Sequence, residues 1–288
     1  MKLNSFTLQV FKPKQTLDFY TKILGLHLLN EFSEDNSIYY NLGFTNKDFY
    51  IQLRFTPSLS KVSYQLDAAD NYWKYSLFVD DIQKQHQEIG NKNHKIGAPF
   101  QFGNIGYLAH TADIENHQIE YIQKTFKQNT PKQIEDNKTT LGLLTIRTKD
   151  PLKSIRFYED ILDLKLFVRM YVDRGNGFTL YFLGHKDLKA PSSNIDATEN
   201  REWMYQQSHL FIEIQHYWNS EYDTDFSLKS TRNNGLKSIN FSGNLDVLKE
   251  RLTKNNILFH QEEDRIRFET IDRHVVMLKT TYNNVYNS

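Results

Sequence analysis

The chain contains an internal repeat, and this repeat constrains the fold more tightly than any other feature of the sequence. Residues 8–28 read LQVFKPKQTLDFYTKILGLHL, and residues 146–166 read IRTKDPLKSIRFYEDILDLKL. The two segments align without a gap at an offset of 138, and seven positions are identical. The identical pairs are Pro13/Pro151, Phe19/Phe157, Tyr20/Tyr158, Ile23/Ile161, Leu24/Leu162, Leu26/Leu164 and Leu28/Leu166. A shared register of this length predicts that the chain is a duplication.

Each copy of the repeat predicts a strand followed by a helix. Proline opens both helices at the first helical position, where its missing N–H costs no hydrogen bond. Asp150 precedes the second proline and is a favoured N-cap residue. Gly25 is expected to end the first helix, and Asp163 takes the same place in the second. Apolar residues recur at helical spacing and form one face, namely Leu17, Tyr20, Ile23 and Leu24 with Ile155, Tyr158, Ile161 and Leu162.

The remainder of each half predicts a matching series of strands and one further helix. Strands are expected at 37–44, 48–55, 73–79 and 119–124, and again at 177–183, 209–216, 237–243 and 275–279. Helices are expected near 82–89 and 245–255. Each half therefore contains two βαβββ-like units, with domain boundaries at 1–125 and 141–282. The polar, aperiodic segment 126–140 is interpreted as a linker between them.

Composition excludes several classes of function. Lysine and arginine total 35, as do aspartate and glutamate, so the formal net charge is zero. This argues against a broad electrostatic surface for nucleic acid or an anionic membrane. The chain has no cysteine, which excludes disulfides, thiolate nucleophiles and cysteine-ligated metals. No apolar run approaches the roughly 18 residues of a membrane span, and the first ten residues resemble a strand rather than a signal peptide. We therefore expect a cytoplasmic protein with neither a nucleic-acid nor a membrane partner.

The opening of each half resembles the vicinal oxygen chelate superfamily, which includes glyoxalase I, bleomycin-resistance proteins and extradiol dioxygenases. The shared pattern is a strand, a proline-opened helix, Phe-Tyr and then Leu-Gly-Leu. Segments 147–158, 178–184 and 210–218 are similar to eukaryotic glyoxalase I in particular, and this resemblance is strong from about 144 to 221. It implies an α+β fold of two glyoxalase-like domains, each built from paired βαβββ units around a cupped mixed sheet.

The resemblance also implies where a metal ion would be held, by four side chains from two paired units. In the C-terminal half the four family positions fall on Leu143, Glu213, Ser238 and Met277; in the N-terminal half they fall on Ser5, Gln52, Lys74 and Glu120. If units pair across the halves, one site combines Leu143, Glu213, Lys74 and Glu120, and the other combines Ser5, Gln52, Ser238 and Met277. Neither set matches the family's ligands, because a divalent ion needs three or four nitrogen or oxygen donors. We therefore expect a degraded metal site and no cofactor, with a divalent metal only if the protein is an active enzyme.

Four residues are the candidates for function. Glu213 and Glu120 are the candidate catalytic residues, because they occupy former ligand positions. Lys74 stands at the family's histidine position, where its ammonium could lie between the two carboxylates. The alternative is that the glutamates point outward and that Lys74 is solvated at a strand edge. Arg147 matches the arginine that contacts a glutathione carboxylate in glyoxalase I, so Arg147 and Lys74 are the candidate substrate-binding residues.

Three functions remain open on the sequence. The first is a glyoxalase I-like protein with a degraded metal site that binds a small polar ligand in the cup of the sheet. The second is a metal-dependent lyase or isomerase of the lactoylglutathione lyase type, in which a glutamate is ligand or base. The third is a structural or assembly protein, which a large exposed apolar patch would support. The sequence leaves the ligand and the oligomeric state open.

Overall fold

A computed structural model describes residues 1–44, 49–61, 64–129 and 139–280. Its elements form four successive units. The first contains β1 (Lys2–Val10), α1 (Pro13–Asp18), β2 (His27–Glu34), β3 (Ser37–Gly43) and β4 (Tyr50–Phe55). The second contains β5 (Tyr72–Val79), α2 (Ile82–Asn91), β6 (Phe100–Phe102), β7 (Gly106–Ala112) and β8 (Gln118–Gln123). The third contains β9 (Thr140–Arg147), α3 (Pro151–Leu162), β10 (Leu164–Val172), β11 (Phe178–His185), α4 (Glu199–Tyr205) and β12 (Phe211–Tyr217). The fourth contains β13 (Leu236–Gly243), α5 (Leu245–Lys254), β14 (Phe259–Gln261), β15 (Arg265–Glu269) and β16 (Val275–Thr280).

The two copies of the repeat fold into the same strand and helix, with a local difference. In α3 the Asp150 side chain accepts a hydrogen bond from the Lys153 backbone at 3.1 Å, and Asp163 ends the helix in the left-handed region at φ 58°. In the first copy, α1 widens after Asp18 into a π-helical turn at Phe19–Ile23. The turn ends before Gly25, whose φ of 80° suits glycine. The first copy was expected to form one α-helix. It is instead α-helical at its start and has the wider π-helical turn at its end.

The strands form two eight-stranded mixed sheets, and each sheet combines one unit from each half of the sequence. The first sheet has the order β14-β15-β16-β13-β1-β4-β3-β2, and the second has the order β10-β11-β12-β9-β5-β8-β7-β6. The first and fourth units meet where β1 pairs antiparallel with β13. The second and third units meet where β5 pairs antiparallel with β9. The α+β fold of paired units around cupped sheets is therefore confirmed.

The predicted domain boundaries describe the duplicated halves rather than the sheets, and they stay a prediction. Within the proposed linker, residues 126–129 are described, and the backbone N–H of Phe126 donates to Glu202 at 2.6 Å. Residues 130–138 of the linker, residues 281–282 of the second half and Asp48 of a predicted strand lie outside the described residues.

A single hydrophobic core joins the two sheets. Side chains from the inward face of each sheet and from the helices belong to one buried cluster, in which the rings of Phe6 and Tyr75 lie 5.5 Å apart between centroids. Tyr20 and Tyr158, the matched residues of the repeat, are both fully buried in this cluster. The opposite face of each sheet is turned away from this shared core. No described helix is long and apolar enough to cross a membrane.

Candidate functional site

The concave face of the second sheet encloses a cavity of about 580 Å³. Its walls are mainly apolar and aromatic, and they include Leu108, Leu143, Leu180, Phe182 and Tyr205. Most of these side chains also belong to a second buried cluster, which packs beneath the cup. A cavity with apolar walls and few polar groups has the character of a small-molecule site.

Helix α4, from the long insertion between β11 and β12, closes one side of this cup. The Tyr205 hydroxyl donates to the carbonyl of Ile105 at 2.8 Å, and Arg201 donates to the carbonyl of Asn104 at 2.5 Å. Both carbonyls belong to the turn between β6 and β7 at the far edge of the sheet. The insertion therefore bridges the two edges of the cup. Sequence reasoning missed this role.

A cluster of three charges forms the floor of the cavity. Strands β5, β8 and β12 bring Lys74, Glu120 and Glu213 together. The Lys74 ammonium forms an ion pair with Glu120, and its Nζ lies 3.9 Å from Oε2 of Glu213. All three residues are buried. The geometry is the cross-half pairing considered from the sequence, with the lysine between the carboxylates.

Hydroxyl groups fix both carboxylates from neighbouring strands. Ser76 donates to Oε2 of Glu120 at 2.8 Å, and Thr145 donates to Oε2 of Glu213 at 2.7 Å. Each hydroxyl lies directly across the ladder from the carboxylate it contacts, because Ser76 pairs with Glu120 and Glu213 pairs with Thr145. The sheet register thus holds the acidic side chains in place, and a buried charge needs such partners.

The two carboxylates have opposite pKa shifts. Burial alone would raise the pKa of Glu120, but the attraction of the Lys74 ammonium and the contact with His110 outweigh it and lower that pKa. Burial raises the pKa of Glu213, the more distant Lys74 opposes the shift, and the neighbouring Glu120 charge adds to it. Glu120 is therefore the ionised partner of Lys74, and Glu213 is the carboxyl group that holds its proton more tightly than usual.

His110 is a fourth member of the site that sequence reasoning missed. It lies on β7, its Nε2 is 3.0 Å from Oε1 of Glu120, and its side chain is 46% exposed. The imidazole lines the cavity, so it connects the buried pair to the cavity space. The pairing of β7 with β8 places His110 opposite Glu120, and no pattern in the sequence alone indicated that register.

The donor set of this cup does not fit the divalent metal that the fold family implies. Leu143 offers no ligand atom, and the Lys74 ammonium fills the space between the carboxylates with a positive charge. Among the described residues no group of three or more His, Asp or Glu side chains is arranged to hold a metal ion. A cation on Lys74 takes over the electrostatic role that a metal would have there.

Arg147 lies beside the cup but does not line it. It is buried, and its guanidinium donates to Oε1 of Gln215 at 2.8 Å and to the carbonyls of Asp67 and Asp70 at 3.0 and 2.9 Å. The guanidinium carbon also lies 5.3 Å from the centroid of the Trp73 ring. The structure brings Glu213, Glu120 and Lys74 into one cavity, and it uses the donors of Arg147 to hold the backbone before β5.

The equivalent positions of the first sheet carry a different site. Ser5, Gln52, Ser238 and Met277 come from β1, β4, β13 and β16, as the cross-half pairing predicts. Neutral side chains join Ser5, Gln52 and Ser238 in one network: Thr7 donates to Gln52 at 2.8 Å, and Gln52 donates to Asn41 at 2.9 Å. Ser238 donates to Asn240 at 2.7 Å, and Asn240 donates to Ser5 at 3.0 Å. The floor of the first cup is therefore neutral and satisfied by its own hydrogen bonds.

Comparisons with known proteins agree with this architecture. The chain is 26% identical over 248 residues to "Glyoxalase I" of Saccharomyces cerevisiae, which covers 78% of the chain and 72% of that protein. It is 24% identical over 205 residues to "Lactoylglutathione lyase" of Schizosaccharomyces pombe, which covers 64% of the chain and 66% of that protein. The crystal structure of glyoxalase I from Zea mays matches with a TM-score of 0.70 at 17% identity, covering 97% of the chain and 92% of that structure. A putative dioxygenase from Bacillus subtilis matches with a TM-score of 0.59 at 15% identity, covering 97% and 85%. No family model matches the chain.

Paired βαβββ units around a cup, together with these relatives, define the class. The chain is similar to proteins of the vicinal oxygen chelate superfamily in both sequence and fold. It is glyoxalase I-like, because its curated relatives include glyoxalase I from a fungus, and a solved glyoxalase I from a plant matches its fold over 97% of the chain.

Proposed function

We propose that this glyoxalase I-like protein binds a small molecule in the cup of the second sheet and does so without a metal ion. The observation that carries the proposal is the Lys74 ammonium between Glu120 and Glu213 at the bottom of an apolar cavity. The ligand has an apolar body for the walls and a polar group for the charged floor. The proposed roles are binding contacts for Lys74 and Glu213, ionised support from Glu120, and positioning of the cup wall by Arg147. The cytoplasmic location stays part of the proposal.

Binding to the cup is tested with Nile red, a neutral apolar dye that has no charge to seek other basic sites. Saturable binding near one dye per chain is expected. Leu108→Trp fills the cavity and should weaken binding at least tenfold, because Leu108 lines it. Leu258→Trp adds the same ring at a position that is 92% exposed and should leave binding unchanged. Equal binding by both variants would place the dye elsewhere and contradict the proposal.

The metal-free part of the proposal has its own measurement. Elemental analysis of purified protein should give far less than one transition metal per chain, before and after incubation with Ni²⁺ or Zn²⁺ and gel filtration. One tightly held metal per chain would contradict this part and favour the lyase.

A lyase of the lactoylglutathione type is the second candidate, and the buried Glu213 favours it. A carboxyl group whose pKa is raised by burial, at the bottom of a cavity, is a candidate to accept or donate a proton. The assay is isomerisation of a glutathione hemithioacetal, with wild type compared with Glu213→Gln. Measurable turnover that Glu213→Gln abolishes would establish the enzyme; no turnover would leave the binding function.

A further inference from the structure

The first sheet curls around its polar face, so this face forms the inside of a second cup. Strands β2 and β15 lie at or next to opposite edges of the sheet, yet Arg265 of β15 donates to Glu34 of β2 at 2.6 Å. Arg265 lies two residues before Arg267 on β15. Glu34 lies two residues after Phe32, which pairs with Tyr39, and Tyr39 pairs with Arg54, so Arg265 and Glu34 share the face that carries Arg267 and Arg54. This ion pair therefore closes the cup with its polar side inward.

Basic side chains gather in this cup above the neutral network. Lys237 stands at a bulge where β13 passes β1, and it is half-buried. Arg54 follows Gln52 by two residues on β4 and therefore lies on the same face of the sheet. Arg267 on β15 lies opposite Met277 on β16. Arg232, just before β13, is the fourth cation, and Glu269 pairs with it at 2.8 Å.

The charges of this cluster are not balanced within the described part of the chain. Lys237, Arg54 and Arg267 form no ion pair among the described residues. The Nε of Arg54 is buried and has no hydrogen-bond partner among the residues that the structure describes, and its guanidinium carbon lies 5.9 Å from the centroid of the Tyr39 ring. Like charges held close together destabilise a fold unless a counter-charge joins them. A buried donor without an acceptor adds to that cost.

We propose that the cup of the first sheet binds a small dianion, held by Lys237, Arg54 and Arg267. The ligand class is a compact molecule with two negative charges, either a phosphate group or a pair of carboxylates. Arginine matches both groups with its planar set of donors, and the buried Nε of Arg54 offers one such donor. The site is separate from the cavity of the second sheet and does not depend on the function proposed for it.

The protonation of Lys237 agrees with this arrangement. Burial, followed by the repulsion of Arg54, Arg267 and Arg232, lowers the pKa of Lys237 to about 8. Glu269 is a carboxylate that pairs with one of these cations, Arg232. A bound dianion stabilises the ammonium, so binding should be tighter at pH 7 than at pH 9 and should take up protons near pH 8.

Isothermal titration calorimetry of the full chain with inorganic phosphate and with malonate tests the proposal. Saturable binding of at least one probe is expected, while acetate, a monoanion, should bind at least tenfold more weakly. The tighter of the two dianions identifies the ligand class. Repeating the titration in buffers of different ionisation enthalpy at pH 8 measures the proton uptake.

Substitutions distinguish this site from general salt effects. Arg267→Gln and Lys237→Met should each weaken binding at least tenfold, and Lys254→Gln on the exposed side of α5 should not. Leu108→Trp, in the other cup, should also leave it unchanged, so failure here is separate from failure of the proposed function. Since Arg267 is exposed, its variant is expected to fold even if Lys237→Met does not. Non-saturating heats, or equal loss with Lys254→Gln, would overturn the proposal.

Discussion

Lys74 decides the chemistry of the second cup. Its ammonium group, carried on β5, lies between two buried carboxylates. The protein therefore supplies a positive charge to this site from one of its own side chains. Lys74 contributes to stability mainly by neutralising two buried charges that would otherwise be unbalanced. The net gain from the ion pair itself is small, because the cost of desolvating the charges offsets much of their attraction.

Lys74→Met should therefore be strongly destabilising near neutral pH. It leaves Glu120 and Glu213 buried without their cation, and we expect the free energy of unfolding to fall by about 3–5 kcal/mol at pH 7. Urea unfolding measures the change. Combining Lys74→Met with Glu120→Gln should recover part of the loss, since one uncompensated charge is removed. Additive effects of the two substitutions would show that the pair is not coupled.

Arg147→Ala should act on stability more than on ligand affinity. The substitution leaves the buried carbonyls of Asp67 and Asp70 and the side chain of Gln215 without their donor, at a cost of about 2–4 kcal/mol in total. Arg156→Ala, on the solvent side of α3, is the matched control. Chemical denaturation gives the stability, and Nile red binding gives the cup affinity. If Arg147→Ala had wild-type stability but much weaker dye binding, Arg147 would act as a direct ligand contact instead.

The difference between Lys74 and Arg147 marks the limit of sequence reasoning at this scale. Family positions predicted which strands carry Lys74, Glu120 and Glu213, and strand alternation turned all three inward. Arg147 donates to backbone carbonyl oxygens of an irregular segment. Every residue has a backbone carbonyl, so the sequence does not indicate which ones will accept a hydrogen bond. His110 was missed for a related reason: its role depends on strand register rather than on residue type.

At the scale of elements, the start of each repeated helix contacts a carboxylate from a loop of the other sheet. Glu115, just before β8, accepts the backbone N–H groups of Phe11 and Lys12 at 2.9 and 2.6 Å, ahead of α1. Asp272, just before β16, accepts from Ser154 on α3 at 3.0 Å. An acid at a helix N-terminus is favourable because the backbone N–H groups there are unpaired. The two sheets are thus interlocked by a symmetric pair of contacts.

Asp272 makes this interlock dependent on pH. Burial raises the pKa of Asp272 to about 6, above its value in the unfolded chain. The folded state therefore holds a proton that the unfolded state releases, and this contribution to stability is present at pH 4 and lost as the pH rises through 6. Relative to Asp272→Asn, wild type should lose about 2–3 kcal/mol between pH 4 and pH 7. Urea unfolding at several pH values measures it; Asp246→Asn, on the exposed side of α5, should run parallel to wild type.

Most elements were predictable because their signals are local. The proline-opened helices, the strands and the further helices α2 and α5 follow from periodicity and capping. The pairing of units was left open, since all four units have similar apolar faces and nothing local distinguishes a neighbour from a distant partner. The π-helical turn at Phe19–Ile23 also escaped prediction, because its apolar spacing fits an α-helix equally well.

At the scale of the molecule, the two sheets should unfold together. They share one core, and each is completed only when both halves of the chain are folded. We expect a single calorimetric transition whose van't Hoff enthalpy equals the calorimetric enthalpy. Near-ultraviolet and far-ultraviolet circular dichroism should give the same midpoint. Two resolved transitions would mean that the sheets are independent despite their common core.

The pairing of β1 with β13 has a consequence for the order in which the chain is made. Strand β1 leaves the ribosome before residues 236–243, which cover its edge and lie more than 200 residues further along the chain. At about 5–20 residues per second, that edge waits on the order of ten to several tens of seconds for its partner. The strands of the second sheet come from the middle of the chain, and the last of them, β12, ends only about 20 residues before β13 begins. Until β13 is made, β1 carries an open strand edge, which is where a holding chaperone would be needed.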